Sequence, residues 1–490
     1  MVFSMTRTSS HELIADVLDA DSAKSWDTEP EYGDIDDAYR ASLGRAREKS
    51  GVTESVVTGE GTVAGTRVAY VIGEFAFLGG SIGAATAKRI IDAVHRATRE
   101  RLPLLISPCS GGTRMQEGTP AFALMISITT AITRHKDAHL PFLVYLRNPT
   151  TGGVMASWGS AGHLTFAEPG ALLGFLGPRV VEMTTGTPMP EGVQRAENLA
   201  RLGIIDGVVS PTRLREETHR LISVLHPREV QEEPEAPKVP EAPTSTAWED
   251  IELTRDPSRP GIHELLAAIP ETVRLSGTGD GRVADGVVVC IASLGAGPAV
   301  VIGQDRTKRL GTEALRFARR GIRLAHDLGL PLVSVIDTPG AELSQEAEEH
   351  AIAASIARTL GELVDVDTPT VSVILGQGCG GGALAMLPSD RVLATEHGWL
   401  SPLPPEGASA IIHRDTAHAP EMMAAQGVAS RDLLASGVID GIISESGDFC
   451  RNVLTAVDHA LGSLDRVGRE ERFRHYEQLA DRLTTRRPND

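Results

Sequence analysis

Hydrophobic and polar positions along the chain follow two different periods. Short runs that are wholly apolar, such as 142–146 and 371–375, are typical of strands buried on both faces of a sheet. Between such runs, as over 87–94, apolar residues recur every three or four positions, which is the spacing of one helix face. Strands that alternate with helices predict parallel sheets with right-handed connections. The pattern therefore predicts an α/β fold.

The same pattern occurs twice along the chain. The tripeptide LPL at 102–104 recurs at 330–332. Further on, GIIDGVVS at 203–210 is matched by GVIDGIIS at 437–444, where the spacing between the two copies has become slightly longer. Solenoid repeats are about 20–50 residues long, far shorter than this period, so the sequence predicts a tandem duplication of one whole domain.

A proline-rich segment separates the two copies. The stretch EEPEAPKVPEAP combines prolines with acidic residues and is typical of an extended spacer. We therefore predict an N-terminal domain over 1–226, a Pro/Glu-rich linker over 227–259 and a C-terminal domain over 260–490.

The composition excludes several classes of function. The 490 residues carry a formal net charge of −18 and only 4% aromatic residues, which argues against nucleic acid as a partner. The sequence has neither an apolar run of about 18 residues nor a signal-peptide profile, so we expect a cytoplasmic enzyme with no membrane partner. Its four cysteines are too widely spaced for a zinc ribbon, and no metal is expected.

Two of the predicted strands end in glycine-rich turns. Gly152 and Gly153 follow the first strand, and the cluster GQGCGGGA at 376–383 follows the second. A strand, a glycine turn and a helix start together present free backbone N–H groups that suit an oxyanion. Tight packing of each turn is the alternative explanation. Matched positions in both copies favour two oxyanion sites that hold two carbonyl-like groups face to face.

Cys379, within the second turn, is the one nucleophile to consider there. A nucleophile elbow has glycine two residues before and two residues after the nucleophile. Gly381 fits this spacing but Gln377 does not, and no histidine is positioned beside Cys379 by the sequence. We interpret Cys379 as a small buried residue.

The motifs around the two turns resemble those of the carboxyltransferase subunits of bacterial acetyl-CoA carboxylase. The first copy resembles the β subunit in FAFLGGSIG (75–83), SGGTRMQEG (110–118), PTTGGV (149–154), AEP (167–169) and GFLGPRV (174–180). The second copy resembles the α subunit in DTPGA (337–341), GGGAL (380–384), SP (401–402) and PEG (405–407). Together the two copies cover about four fifths of the chain, so the sequence looks like a fused β–α carboxyltransferase.

The resemblance implies a fold and a reaction. The fold is two tandem crotonase-like domains of the ClpP/crotonase type, each a β-β-α spiral. The reaction is transfer of CO2 from carboxybiotin on a separate carrier protein to the α-carbon of a short acyl-CoA, acetyl-CoA or propionyl-CoA. The product would be malonyl-CoA or its homologue, a precursor of fatty acids or polyketides. Biotin itself accepts the α-proton in this family, so no side-chain base is needed.

The resemblance also assigns residues to the site. Backbone donors at Gly152 and Gly153 would hold the thioester enolate, and those at Gly382 and Ala383 would hold the ureido oxygen of biotin. Other residues at the two turns are expected to bind substrate: Gly79, Gly80, Ser110, Gly111, Gly112, Arg114, Gly381 and Ala385. Ala385 stands where the family tunes the choice of acyl group. The negative phosphates of CoA require nearby cations, for which Arg114 and the cluster Arg306, Lys308 and Arg309 are candidates.

Partners and assembly follow from the same resemblance. The sequence has no A-M-K-M biotinylation site and no P-loop, so a biotin carboxylase and a biotin carboxyl carrier protein are expected as partners. The family forms its active site between unlike domains of two protomers, which implies a homodimer or homohexamer.

Departures from the family leave the substrate open. No cysteine precedes Cys109, so we do not expect the family's usual zinc ribbon, and Gln377 and Cys379 replace the more common Glu and Ser. A malonate-type decarboxylase acting on a malonyl thioester is the first alternative, because it would stabilise the same enolate. A non-carboxylating crotonase-like protein is the second.

Overall fold

The computed structural model describes residues 7–226, 240, 245–464 and 469–485, and these fall into two units. The first unit ends at Ser223 and includes Gly279–Arg282; the second comprises Val224–Thr278 and the residues from Val283 onward. Of the predicted linker over 227–259, the segments 227–239 and 241–244 lie outside the described residues. The later part of that range contains a helix, Ala247–Arg255.

A seven-stranded sheet organises the first unit. The strands of this unit are β1 (Lys24–Ser25), β2 (Val56–Val63), β3 (Thr66–Gly73), β4 (Leu104–Ser107), β5 (Phe142–Leu146), β6 (Thr150–Thr151), β7 (Leu164–Ala167), β8 (Leu173–Gly174) and β9 (Gly207–Val208). The sheet has the order β1-β2-β3-β4-β5-β7-β9, while β6 and β8 form a separate pair. β2 and β3 are antiparallel, and from β3 to β9 the neighbouring strands are parallel.

Helices pack on this sheet through the faces that the sequence pattern predicts. They are α1 (Ser10–Val17), α2 (Asp37–Ser50), α3 (Ala84–Arg99), α4 (Gly118–Asp137), α5 (Gly152–Met155), α6 (Pro178–Thr185), α7 (Ala196–Arg201) and α8 (Pro211–Leu225). In α3, the side chains of Ala87, Ile90 and Val94 are fully buried in the core beneath the sheet. The predicted apolar helix face over 87–94 is therefore confirmed.

The second unit contains an eight-stranded sheet. Its strands are β10 (Thr272–Arg274), β11 (Val287–Leu294), β12 (Gly297–Gln304), β13 (Leu332–Thr338), β14 (Thr370–Cys379), β15 (Arg391–Thr395), β16 (Trp399–Ser401) and β17 (Gly441–Ile443). The order is β10-β11-β12-β13-β14-β15-β17, with β16 paired to the end of β14. From β12 to β17 the neighbouring strands are parallel.

The helices of the second unit surround this sheet. They are α9 (Ala247–Arg255), α10 (Ile262–Ala267), α11 (Thr312–Leu328), α12 (Gln345–Glu349), α13 (Ile352–Asp365), α14 (Gly380–Leu384), α15 (Pro405–His413), α16 (Ala419–Gln426), α17 (Ser430–Ser436), α18 (Phe449–Gly462) and α19 (Arg469–Thr485). No helix in the described ranges of either unit is long and apolar enough to cross a lipid bilayer.

The two sheets repeat one topology, which confirms the predicted duplication. The order β2-β3-β4-β5-β7-β9 of the first unit corresponds to β11-β12-β13-β14-β15-β17 of the second. β4 and β13 are separated by the same spacing as the two LPL tripeptides, as are β5 and β14, whereas β9 and β17 show the longer spacing of the later match. In each unit the parallel strands end at one edge of the sheet, which is the edge where α/β proteins bind ligands.

Candidate active site

In the first unit, two glycine-rich loops meet at the carboxyl edge of the sheet. One follows β3 and contains Gly79 and Gly80, and the other follows β4 and contains Ser110, Gly111 and Gly112. The Gly111 N–H donates to the Gly79 carbonyl over 3.0 Å. A Cβ on Gly80 would lie 1.8 Å from the carbonyl oxygen of Cys109, so no larger residue fits there. The structure thus brings these five predicted residues together.

The start of α5 packs on the second of these loops. Gly152 has φ +68°, and a Cβ on it would lie 3.1 Å from Gly112 Cα, so both its conformation and its surroundings require glycine. The Gly152 N–H donates to the Phe175 carbonyl over 2.9 Å. The Gly153 N–H has no acceptor among the described residues, because it belongs to the first turn of a helix. Of the predicted pair, Gly153 therefore carries the free donor.

An apolar cavity of about 810 Å³ adjoins Gly153. It is bounded by side chains of α4 and by Phe175, and Phe122, Ile126 and Phe175 are 59%, 72% and 68% exposed. A Cβ on Gly153 would lie 3.4 Å from Met125 Cγ, an ordinary van der Waals distance. The free amide thus stands beside a cavity whose lining combines exposed apolar side chains with polar side chains of α4.

Arg114 lies beneath these loops rather than on their surface. Its side chain is 0% exposed and forms a two-point ion pair with Glu54, over 2.5 and 3.0 Å. It also donates to the Ser81 carbonyl and to the Thr86 hydroxyl. A guanidinium that is fully buried and bonded in this way cannot reach a phosphate in solvent, so Arg114 is removed from the candidates for CoA binding. Its side chain ties the segment just after the Ser110–Gly112 loop to Glu54 and Ser81.

In the second unit, β14 leads directly into α14. Gly380 has φ +65° at the start of this helix, and Gly381 and Gly382 follow in its first turn. The Gly382 N–H has no acceptor among the residues that the structure describes. A Cβ on Gly381 would lie 3.0 Å from Ile356 Cδ1, and one on Gly382 would lie 2.8 Å from Leu310 Cδ2. The ends of the Ile356 and Leu310 side chains would therefore have to shift to admit a larger residue at Gly381 or Gly382.

The predicted donors of the two turns do not stand at equivalent positions of the repeat. The spacing that relates β5 to β14 places Gly152 opposite Gly380 and Gly153 opposite Gly381. The predicted donors Gly382 and Ala383 therefore stand two positions further along their helix than Gly152 and Gly153 do along theirs. Ala383 and Ala385 have fully buried side chains in this unit, so neither presents its methyl group to solvent.

A buried polar network lies behind the second turn. The Gln304 side chain, 1% exposed, donates from Nε2 to the Gly382 carbonyl over 2.8 Å and accepts the Asp337 N–H over 3.2 Å. Asp337 accepts the Gln377 N–H at Oδ1 over 3.0 Å and Arg306 Nη1 at Oδ2 over 2.9 Å. Burial raises the pKa of the Asp337 carboxyl, against the lowering effect of these donors.

This network changes one sequence prediction and contains one residue that the sequence analysis did not identify. Arg306 is committed to Asp337 with little of its side chain exposed, so it is not available to CoA phosphates, whereas Lys308 and Arg309 are exposed. Gln304 was missed because nothing in its local sequence indicates a contact with a turn almost eighty residues away. Its position at the last residue of β12 is the only signal that could have indicated it.

Cys379 has the environment of a structural residue. It is buried at the end of β14, and burial raises the pKa of its thiol to about 11. A thiol in that state is a poor nucleophile at neutral pH. Within the described parts of the chain, no three His, Cys, Asp or Glu side chains are grouped as metal ligands.

The sequence matches a family model over nearly all of its length. Residues 28–488 match the model described as carboxyl transferase domain. The probable biotin-dependent acyl-coenzyme A carboxylase beta3 subunit of Mycobacterium tuberculosis is 56% identical over 452 residues, 91% of this chain and 90% of that protein. The acetyl-coenzyme A carboxylase carboxyl transferase subunits beta/alpha of Salinispora tropica are 37% identical over 430 residues, 83% of this chain and 76% of that protein.

Solved structures share the fold. The transcarboxylase 12S crystal structure, with methylmalonyl-coenzyme A and methylmalonic acid bound, aligns with a TM-score of 0.74 at 20% identity, covering 93% of this chain and 89% of that chain. A single-chain, multi-domain long-chain acyl-CoA carboxylase aligns with a TM-score of 0.70 at 18% identity, covering 92% of this chain and 46% of that chain. The predicted tandem of crotonase-like domains is confirmed.

Proposed function

The chain belongs to the carboxyl transferase domain family, and from this membership we propose that it is the carboxyltransferase component of a biotin-dependent acyl-CoA carboxylase. It would transfer CO2 from carboxybiotin on a carrier protein to the α-carbon of a short acyl-CoA, acetyl-CoA or propionyl-CoA. The observation that carries the proposal is the pair of side-chain-free helix starts, one in each unit. Each offers a backbone N–H with no acceptor in the described ranges of the chain.

The donors suit an enolate and a ureido oxygen. In the first unit, the Gly153 N–H would hold the thioester oxygen on which negative charge develops when the α-proton leaves. In the second unit, the N–H groups of Gly382 and Ala383 would hold the ureido oxygen of biotin. When bound, carboxybiotin would supply the CO2, and its ureido nitrogen would accept the α-proton once CO2 has left it.

Exposed apolar side chains in each unit support an assembly of several protomers. In the first unit Met115, Ile126 and Met183 are largely exposed, and in the second unit Leu343 and Ile411 are. Such surfaces are usually covered in a functional assembly. We expect a homodimer or homohexamer in which each turn meets the unlike turn of another protomer. In the cytoplasm, a biotin carboxylase and a biotin carboxyl carrier protein would complete the enzyme.

The reverse reaction tests the proposal. The purified full chain is mixed with malonyl-CoA or methylmalonyl-CoA, with and without free biotin, and the acyl-CoA formed is quantified. Formation that strictly requires biotin supports the carboxyltransferase, and the ratio of kcat/KM for the two substrates ranks the acyl groups. Formation without biotin would favour a malonate-type decarboxylase. No turnover of either substrate would contradict the proposal and leave a non-carboxylating crotonase-like protein.

A further inference from the structure

Three neighbouring strands, β3, β4 and β5, end at the carboxyl edge of the first sheet. The segments that follow them carry Gly79, the Ser110–Gly112 loop and Gly153 in turn. These segments come from distant parts of the chain, so the place of the free Gly153 amide depends on how the three strand ends are held relative to one another.

One buried side chain connects the three strand ends. Arg147 directly follows β5 and is 2% exposed. Its Nη2 donates to the carbonyl of Gly73, the last residue of β3. At Ser107, the last residue of β4, Nη2 donates to the carbonyl over 3.3 Å and Nε donates to the hydroxyl over 2.9 Å. The guanidinium thus ties the ends of β3 and β4 to the end of β5.

The main chain of Arg147 is bonded to the same region. Its N–H donates to the Pro108 carbonyl over 3.0 Å. The Thr150 hydroxyl donates to the Arg147 carbonyl over 2.8 Å and lies 3.1 Å from the Pro108 carbonyl. Two residues after Thr150, α5 begins, with the Gly153 amide in its first turn. A short series of hydrogen bonds therefore links Arg147 to the turn of the candidate site.

The guanidinium of Arg147 is a buried cation with uncharged partners. Its Nη1 donates to the Thr8 carbonyl over 2.9 Å, in the segment that precedes α1. All four acceptors of the side chain are carbonyl or hydroxyl oxygens. Burying a charge is unfavourable unless its donors are satisfied, and only the planar fork of arginine offers five N–H donors in fixed directions. Arginine is therefore the residue type that can hold several separate strand ends at once.

We propose that Arg147 is a positioning residue for the formation of the enolate at the first turn. By holding the ends of β3, β4 and β5 in one arrangement, it fixes the direction in which the Gly153 N–H meets the thioester oxygen. The inference rests on the proposed function, which places the developing negative charge at Gly153. A preorganised donor lowers the barrier only when it is aimed at that charge, and a misplacement of about 1 Å can cost about 100-fold in rate.

The test compares two buried arginines of the first unit in the full-length protein. Arg147→Met removes all four side-chain contacts, and Arg147→Lys keeps the charge but has no fork to reach both strand ends. The matched control is Arg89→Met, because Arg89 is 8% exposed and donates to the carbonyls of Val56 and Thr28, away from the ends of β4 and β5. Biotin-dependent turnover of malonyl-CoA gives kcat and KM, and urea titration gives the stability of each variant.

We expect both Arg147 variants to lower kcat by about 10–100-fold. The KM for malonyl-CoA and the KM for biotin should stay unchanged, because the misdirected amide acts on the transition state rather than on the bound substrates. Arg89→Met should keep the kcat of the wild type at a comparable loss of stability. Ser107→Ala removes only the hydroxyl acceptor of Arg147 Nε, and it should lower kcat by a smaller factor in a folded protein.

The outcomes separate this inference from the proposed function. A folded Arg147→Met protein with the kcat of Arg89→Met overturns the positioning role while the proposed function stands. Wild-type kcat in Arg147→Lys also overturns it, since the charge alone would then be sufficient. If Arg147→Met does not fold, wild-type kcat in Ser107→Ala decides against the role. A wild-type protein without biotin-dependent turnover overturns the proposed function itself.

Discussion

Replacing Gln304 with methionine tests whether the second turn depends on its buried support. In a trans peptide the C=O and N–H point in opposite directions. The hydrogen bond from Gln304 Nε2 to the Gly382 carbonyl therefore fixes the direction of the Ala383 N–H. The Gly382 carbonyl has no helical donor to replace it, because the Met386 N–H donates to the Ala383 carbonyl over 3.0 Å. Methionine keeps the length of the side chain but removes this contact.

The structure sets the size of the effect. The variant leaves the Gly382 carbonyl and the Asp337 N–H without partners, and each such buried group costs about 1–3 kcal/mol. The two groups together cost about 2–6 kcal/mol, below the middle of the typical stability range of about 5–15 kcal/mol, so we expect the variant to be folded at 25 °C. Complete loss of an oxyanion donor costs about 10²–10³ in kcat, so a donor that remains but is loosely oriented should cost about 10–100-fold.

The assay is biotin-dependent turnover of malonyl-CoA, with thermal unfolding measured in parallel. We expect kcat to fall and the KM for biotin to rise, while the KM for malonyl-CoA, which we assign to the first unit, stays unchanged. Gln304→Glu restores an O–H donor only when protonated, so its activity should recover as the pH is lowered. A folded Gln304→Met protein with wild-type kcat would refute the positioning role.

Three further predictions concern other parts of the molecule. Gly153→Pro removes a backbone N–H that has no acceptor in the described chain, so kcat should fall by about 10²–10³ with little change in melting temperature, whereas Gly153→Ala, which keeps the N–H, should retain turnover. Arg472→Met leaves the fully buried Asp390 carboxylate unpaired and should lower the free energy of unfolding by about 3–5 kcal/mol in urea titrations; an unchanged urea midpoint would contradict this. The hydrogen bond with Asp250 raises the pKa of His397 above 6.5, so its contribution to stability is complete below pH 6.5 and disappears as the pH rises through the raised value. Urea midpoints measured across this range should decline for the wild type, and Asp250→Asn should abolish that decline.

The sequence was sufficient to predict the features of the fold that depend on neighbouring residues or that occur twice. Alternating apolar periods indicated the α/β fold, and the recurrence of LPL and of the later octapeptide indicated the duplication that the two sheets display. The glycine turns could also be predicted, because neighbouring backbone approaches Gly80 and Gly152 closely and only glycine fits at such positions. The requirement is therefore written in the sequence as glycine clusters. These features depend on residues near one another in the chain or on a pattern that occurs twice.

The remaining features depend on contacts between distant residues. Arg114 resembles a surface cation in its motif, and only its pairing with Glu54, sixty residues earlier, shows that it is buried. Arg45 and Lys49 of α2 line a cavity together with Gly79, although the sequence separates this helix from the glycine loops. A single sequence contains no signal for which charges are buried in pairs and which are left unpaired at a cavity.

The segments at the ends of β4 and β13 occupy equivalent places but form different ion pairs, Arg114 with Glu54 and Asp337 with Arg306. Recombination between the repeats that exchanged 109–114 for 337–342 would preserve the topology yet separate each charge from its partner. An unpaired buried charge costs about 3–5 kcal/mol, so such hybrids would fold poorly. The two halves of the chain are thus no longer interchangeable. Because hybrids that mix the two repeats fold poorly, exchange of sequence between the repeats is selected against, and each unit keeps its own site residues.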